Sequence, residues 1–215
     1  MKNKKSKEKS EENYEENNEE IKVILVGDSG VGKTSLIQCA LGNNFMEGTQ
    51  ISTMVCTNVK IEMTINDKKY KINLWDTIGQ ERFRSLTTIF LKDSQIVIFV
   101  CDLTSKESFK GLDYWFDLIQ EELGSNINMG IIGNKRDLTD EQIVEDDLIE
   151  QYANKKGLDW TFCSALEPNL FNKFLQELII EYSKSGFKNN KDNESDKKSY
   201  KLKSTKNKKK KSRCC

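Results

Sequence analysis

The 215-residue sequence predicts an α/β fold: a six-stranded, mostly parallel sheet with one antiparallel edge strand and helices on both faces. Three observations carry that expectation. Near-continuous apolar runs alternate with stretches of helical spacing, as strands buried on both faces and their covering helices require. One pair of segments instead alternates apolar and polar residues, which marks a hairpin with one solvated face. The loops after the runs hold the glycines, carboxylates and amides, where ligands of a doubly wound sheet bind.

The first run, residues 21–26, reads as a buried strand, and Leu36, Ile37, Ala40 and Leu41 give the following helix its apolar face. Val59, Ile61, Met63 and Ile65, then Tyr70, Ile72 and Leu74, form the hairpin, which turns around residues 66–68. Residues 95–101 are the fourth strand, and Phe109, Leu112, Phe116, Ile119 and Leu123 mark the next helix. Residues 129–132 are the fifth strand and 160–163 a shorter sixth. The clearest helix carries Phe171, Phe174, Leu175, Leu178, Ile179 and Tyr182 on one stripe. No internal repeat is visible.

Composition narrows the chemistry. The sequence has no histidine, which excludes a Ser-His-Asp relay, a histidine general base and an imidazole metal site. Chemistry must run on carboxylates, amides, backbone N–H groups, lysine or an oxygen-bound metal. The longest apolar run, residues 96–101, falls far short of the roughly 20 residues of a membrane helix. The Lys/Glu-rich start has no apolar core to act as a secretory signal, so a cytosolic protein with reduced cysteines is expected. Cys39, Cys56, Cys101 and Cys163 read as small hydrophobes, and no Cys-x-x-Cys spacing supports zinc.

The zero net charge is unevenly spread, with −2 over residues 1–20, −8 over 21–183 and +10 over 184–215. Residues 1–20 hold no aliphatic side chain after Met1, and 184–215 form a Lys/Asn/Ser tract with scattered Phe187, Tyr200 and Leu202. Neither buries enough apolar surface to offset the entropy of ordering. Both are expected as disordered ends of one domain at 21–183. An acidic globule without interleaved stacking aromatics excludes nucleic acid as the expected partner.

Four loops carry candidate chemistry. After the first strand comes GDSGVGKT, residues 27–34, which fits G-x-x-x-x-G-K-[ST]. Gly27, Gly30 and Gly32 let the N–H groups of this loop (with Asp28, Ser29, Val31 and the helix start through Ser35) wrap a phosphate chain. Lys33 reaches the terminal phosphates and the Thr34 hydroxyl suits Mg²⁺. After the third strand comes WDTIGQERF, residues 75–83, where Asp76 is a candidate Mg²⁺ anchor. Gly79 can turn its N–H toward a γ-phosphate, and Gln80 can orient an attacking water. After the fifth strand comes GNKRD, residues 133–137. Asp137 can accept from guanine N1–H and N2–H₂, a pair that adenine does not offer. Asn134 can tie loops together and the Lys135 stem can lie along the base. After the sixth strand, Ser164, Ala165 and Leu166 can offer a backbone N–H to guanine O6.

These loops, in this order, resemble the Ras-type small GTPases of the P-loop NTPase fold, and the wording is closest to the Rab family. KINLW before Asp76, ERFRSLT after Gln80 and FVCDLT at residues 99–104 carry that likeness, which spans about 21–183 and the last two residues. The resemblance implies a monomeric GDP/GTP switch with slow GTP hydrolysis, Mg²⁺ as cofactor and a role in vesicle traffic. It implies cycling between cytosol and the cytoplasmic face of an intracellular membrane. Implied partners are an exchange factor, a GTPase-activating protein, a GDP-dissociation inhibitor, a prenylation escort protein and effectors. Thr53 matches the family's switch threonine, which joins Mg²⁺ through its hydroxyl and the γ-phosphate through its N–H. Phe45 matches the aromatic flanking the guanine, and Cys214 and Cys215 match the prenylated pair. Lys208, Lys209, Lys210, Lys211 and Arg213 stand beside those cysteines as an electrostatic anchor. The ending is no C-a-a-X box, and Lys2 in place of glycine excludes N-myristoylation.

Three departures from the family bear on activity. Lys33 and Thr53 are twenty positions apart, one more than the family's usual spacing, which leaves Phe45 and its neighbour Met46 as alternatives at the base. Met54, Val55, Cys56, Thr57 and Asn58 replace the family's Ile-Gly-Val-Asp-Phe. Ile78 replaces alanine beside Gly79, and a β-branched side chain stiffens that backbone; slower hydrolysis or an altered nucleotide preference is expected. Leu166 replaces the family's lysine, a milder change. The alternative function is a guanine-nucleotide-binding membrane scaffold with little or no turnover. A P-loop kinase or ATPase shares only GDSGVGKT.

Overall fold

Apolar runs in the middle of this sequence have no polar side because both faces of their sheet are covered. The computed structural model describes residues 20–42, 53, 56–79 and 84–185. Among these, the strands are β1 (Glu20–Val26), β2 (Thr57–Ile65), β3 (Lys68–Asp76), β4 (Ile96–Asp102), β5 (Asn128–Asn134) and β6 (Asp159–Phe162). They form one sheet in the order β2-β3-β1-β4-β5-β6, antiparallel between β2 and β3 and parallel elsewhere. The expected antiparallel edge strand is therefore β2. The helices are α1 (Lys33–Ala40), α2 (Arg84–Leu91), α3 (Lys106–Leu123), α4 (Asp146–Lys156) and α5 (Pro168–Lys184).

Alternation along the central strands divides the interior in two. Val23 and Leu25 of β1, with Ile96, Ile98 and Val100 of β4, pack with α1 and with Phe171, Phe174, Leu175 and Leu178 of α5. Ile24 and Val26, with Val97, Phe99 and Cys101, pack on the other face with Leu112, Trp115 and Ile119 of α3 and Ile149 and Ala153 of α4. Every residue of β4 is buried, as a strand between two helical layers must be. The hairpin closes on Asn66 (φ 49°) and Asp67 (φ 62°), two left-handed residues that match the twist of the flanking strands.

Three details differ from the sequence expectation. β1 begins at Glu20, which pairs with Lys71 and places its carboxylate 3.0 Å from Lys60 Nζ. α2 and α4 are helices the apolar pattern does not announce; α4 buries only Ile149 and Ala153 among charged neighbours. In α3 the fully buried stripe is Leu112, Trp115 and Ile119, whereas Phe109, Phe116 and Leu123 flank it half-buried. Among the described residues, Cys39, Cys101 and Cys163 are free and buried, which fits their reading as small hydrophobes, whereas Cys56 is free and half-buried.

Truncating Phe171→Ala, fully buried between α5 and the sheet, is expected to lower stability by about 3–5 kcal/mol. Ile89→Ala, at a side chain 68% exposed on α2, should change it by less than about 0.5 kcal/mol. Urea unfolding midpoints of the two variants measure the contrast.

Candidate functional site

The turn between β1 and α1 is built for close approach. Gly27, Gly30 and Gly32 take φ of 149°, 79° and 96°. A Cβ at Gly27 would strike the Val100 carbonyl oxygen, and one at Gly32 the Asn134 amide, so these positions need both glycine's conformation and its lack of bulk. Val31 between them is buried, and Ser29 is exposed. Asp28 is anchored from α3, where Trp115 Nε1 donates to its Oδ1 at 3.0 Å.

α1 then starts without a side-chain cap or an acidic residue in its first turn. α3 offers the contrast, with Ser105 Oγ accepting from the Ser108 N–H and Glu107 in its first turn. The first-turn N–H groups of α1, at Lys33, Thr34 and Ser35, are thus left to an external acceptor, with the helix dipole favouring an anion. Lys33 lies under this turn, 5% exposed, and its Nζ donates to Gly27 O at 2.7 Å and Asp28 O at 2.9 Å. Burial pulls its pKa down to about 8, against the opposing pull of the Asp76 and Asp28 charges.

Three oxygen-bearing side chains from separate segments converge beside it. Thr34 Oγ1 donates to Asp76 Oδ2 at 2.6 Å, Thr53 Oγ1 lies 2.7 Å from Thr34 Oγ1, and Thr53 Oγ1 also reaches Asp76 Oδ2 at 3.4 Å. Asp76 is 4% exposed, and its Oδ1 has no hydrogen-bond partner among the described residues. Burial raises its pKa, while the Thr34 hydrogen bond and the Lys33 charge oppose the rise. A carboxylate with an orphan oxygen between two hydroxyls is a hard donor set, which suits Mg²⁺ and no thiophilic metal.

The segment after Asp76 is pinned by Thr77 Oγ1, which donates to Leu25 O at 2.7 Å. It then presses against the phosphate loop: a Cβ at Gly79 would lie 2.5 Å from the Asp28 carbonyl oxygen and 2.6 Å from Lys33 Nζ. Ile78 beside it is 3% exposed. The half-buried Cys56 thiol, its pKa raised by burial, hydrogen-bonds the Ile78 backbone and so joins the two segments.

The loops after β5 and β6 sit on the same edge of the sheet. Asn134 Nδ2 donates to Val31 O at 2.8 Å, tying the residue 133–137 loop to the phosphate loop. Lys135 is held in a left-handed conformation (φ 64°) with its Nζ 2.5 Å from Asp102 Oδ2. Ser164 Oγ donates to Asp137 Oδ1 at 2.5 Å, so the loop after β6 steadies the exposed carboxylate. Leu166 uses its N–H on Ser164 Oγ at 3.0 Å, which leaves the Ala165 N–H without a partner among the described residues. The Leu166 side chain is exposed.

The expected residues of all four loops that are described thus come together. Phe45 and its alternative Met46, Gln80, Cys214 and Cys215 lie outside the described residues. Sequence reasoning missed Asp102 as the partner of Lys135, although an acid closing the apolar run of 96–101 was a visible signal. It also missed Trp115 behind Asp28 and the pairing of Arg136 with Asp146, for which nothing local in the sequence speaks.

Residues 22–184 match the Ras family. The chain belongs to the Ras family. Ras-family relatives carry Rab names: "Ras-related protein Rab-26" of Rattus norvegicus is 38% identical over 144 residues, covering 67% of this chain and 56% of that protein. "Ras-related protein Rab-21" of Bos taurus is 35% identical over 163 residues, 76% of this chain and 71% of that protein. "Ras-related protein Rab-37" of Mus musculus is 33% identical over 144 residues, 67% of this chain and 65% of that protein. The chain spans little more than half the length of the Rab-26 relatives. Within the Ras family it is Rab-like.

The lowered pKa of Lys33 predicts a pH dependence. Between its folded value of about 8 and its ordinary value of 10.5, the unfolded chain binds a proton that the folded nucleotide-free protein does not. Lys33 therefore weakens folding below pH 8, by about 3 kcal/mol, and this penalty fades as pH rises to about 10.5. Relative to Lys33→Met, wild type should gain stability as pH rises from about 8 toward 10. Urea titrations of the two nucleotide-free proteins check this; a pH-independent difference contradicts it.

Proposed function

We propose that the protein is a Rab-like GDP/GTP switch acting on intracellular membranes, with slow intrinsic GTP hydrolysis. The observation that carries this reading is the convergence of Thr34, Thr53 and Asp76 next to Lys33. Hydroxyls and a carboxylate from three segments meet where terminal phosphates and a hard cation would hold them. Asp137, steadied by Ser164, selects guanine by accepting its two donors, and the Asn134 link fixes the distance from base to phosphate loop.

The chemistry asked of the chain is positioning and charge stabilisation. Lys33 and the N–H groups of the phosphate loop and α1 offset the negative charge of the phosphates. Mg²⁺, when held by Thr34, Thr53 and Asp76, supplies Lewis-acid stabilisation of the same charge. Gln80 aligns the attacking water. Residues 27–53 contain no arginine to act as a finger in cis, so fast turnover needs one from a GTPase-activating protein. Thr53 and Gly79 read the γ-phosphate: both segments are ordered while it is present and released after hydrolysis. Ile78 buried beside Gly79 stiffens that segment and slows the reaction; the alternative, a nucleotide-dependent scaffold without turnover, is the limit of the same effect.

In this proposal residues 21–183 are the switch domain, 1–20 a charged extension and 184–215 a tether. No helix among the described residues is long and apolar enough to cross a membrane. Attachment comes from two prenyl chains on Cys214 and Cys215, at about 0.8 kcal/mol per buried CH₂, and from the basic tail, at about 1 kcal/mol per charge. The partners are those of a prenylated switch: exchange factor, GTPase-activating protein, dissociation inhibitor, escort protein and effectors.

Competition binding tests the reading. GDP and GTP should be preferred over ADP and ATP by a factor of about 1,000 or more, and Asp137→Ala should abolish most of that preference. Equal affinity for the two purines contradicts it. In single-turnover assays Ile78→Ala should hydrolyse GTP about tenfold faster than wild type; an unchanged rate removes Ile78 from the mechanism.

A further inference from the structure

The residue just before Asp137 has a side chain braced on several sides. Arg136 Nη1 and Nη2 donate to the two carboxylate oxygens of Asp146 at 2.5 and 2.7 Å, a two-pronged pair with the first residue of α4. Gln142 completes the group, accepting from Arg136 Nη1 at 2.8 Å and donating to Asp146 Oδ1 and Val144 O, each at 2.8 Å. The guanidinium lies over the Phe162 ring of β6, 4.9 Å from its centroid. On the main chain, the Arg136 N–H donates to Cys163 O at 3.1 Å, directly before Ser164.

This network is poorly explained as a source of stability. Both side chains of the Arg136–Asp146 pair are more than a third exposed, at 38% and 39%, and pairs in such positions add little to folding. Geometry is what it supplies. A planar fork on a carboxylate has essentially one orientation, and the stacked ring fixes its tilt. Its anchors lie on α4, on β6 and, through Gln142, farther along its own segment, so the backbone at 136 is located against two other elements at once. Asp137, exposed and one peptide bond away, inherits that location.

We propose that Arg136 is a positioning residue for guanine selection, setting the Asp137 carboxylate so that it meets both donors of the base. The proposal rests on the guanine-binding reading above. It requires that the second contact, to the exocyclic amino group, be the one most sensitive to a small misplacement, because two hydrogen bonds to one planar carboxylate constrain its angle as well as its distance.

The test compares GDP with IDP, whose hypoxanthine keeps N1–H and lacks the 2-amino group, for wild type, Arg136→Ala, Arg136→Lys, Asp146→Asn and the Arg136→Ala/Asp146→Asn double variant. Arg136→Ala should weaken GDP about tenfold and IDP about threefold or less, so the GDP/IDP ratio falls. Arg136→Lys keeps the charge without the fork and should also lower the ratio. The double variant should be no worse than either single one, because both remove the same pair. Thermal midpoints should stay within a few degrees of wild type. A ratio unchanged in every variant, an equal loss for GDP and IDP accompanied by a falling midpoint, or full restoration by lysine overturns the proposal. A wild type that does not prefer GDP over ADP sinks the functional reading and this proposal together, whereas a normal preference with an unmoved GDP/IDP ratio sinks this proposal alone.

Discussion

A carboxylate almost closed off from water, Asp76 at the end of β3, is the constraint around which the site is arranged. Desolvation disfavours its charge, and what keeps it ionisable is a local set of compensations: the Thr34 hydroxyl, the Thr53 hydroxyl and the Lys33 ammonium. Lys33 and Thr34 come from the start of α1 and Thr53 from a separate segment, so the position of Asp76 dictates where both can lie. Lys33 is subject to the converse constraint, a buried cation beside main-chain carbonyls and two acids. The pair is incompletely satisfied, with one Asp76 oxygen unpartnered among the described residues. A polar cluster in that condition favours folding less than apolar packing would and is better suited to receive charged groups.

The sheet makes this arrangement possible. Its parallel strands deliver β1, β3, β4 and β5 to one edge, and two separate apolar layers hold those strands in register. The loops then cross-link directly: Thr77 to Leu25, Asn134 to Val31, Lys135 to Asp102, Ser164 to Asp137. The loops after β1, β3, β4, β5 and β6 are in this way parts of one hydrogen-bonded rim.

Much of this was legible in the sequence, for identifiable reasons. The central strands announced themselves because burial on both faces leaves no polar residue to interrupt them, and the hairpin because its solvated face does the opposite. GDSGVGKT is legible because the chemistry of a phosphate loop is local: glycine backbone, one lysine and one hydroxyl within eight consecutive positions. Asp76 and Asp137 could be placed by their positions after strands. α2 and α4 were not legible, since α4 buries two residues and the apolar period has almost nothing to register. The brace of Arg136 by Asp146 and Phe162, and of Asp28 by Trp115, depends on which elements the fold sets side by side, information that spacing along the chain does not hold. Thr53 became a candidate through family likeness alone, because its contact with Thr34 and Asp76 is made across nineteen and twenty-three positions of the chain.

The central claim is that Thr34, Thr53 and Asp76 form a cation-dependent grip on a guanine nucleotide. Its most direct test is the rate of GDP release with Mg²⁺ present and after chelation by EDTA, in wild type and in Asp76→Asn. The account predicts that chelation speeds release about a hundredfold in wild type and far less in the variant, which has already lost the carboxylate. Release from wild type at the same rate with and without Mg²⁺ would contradict it.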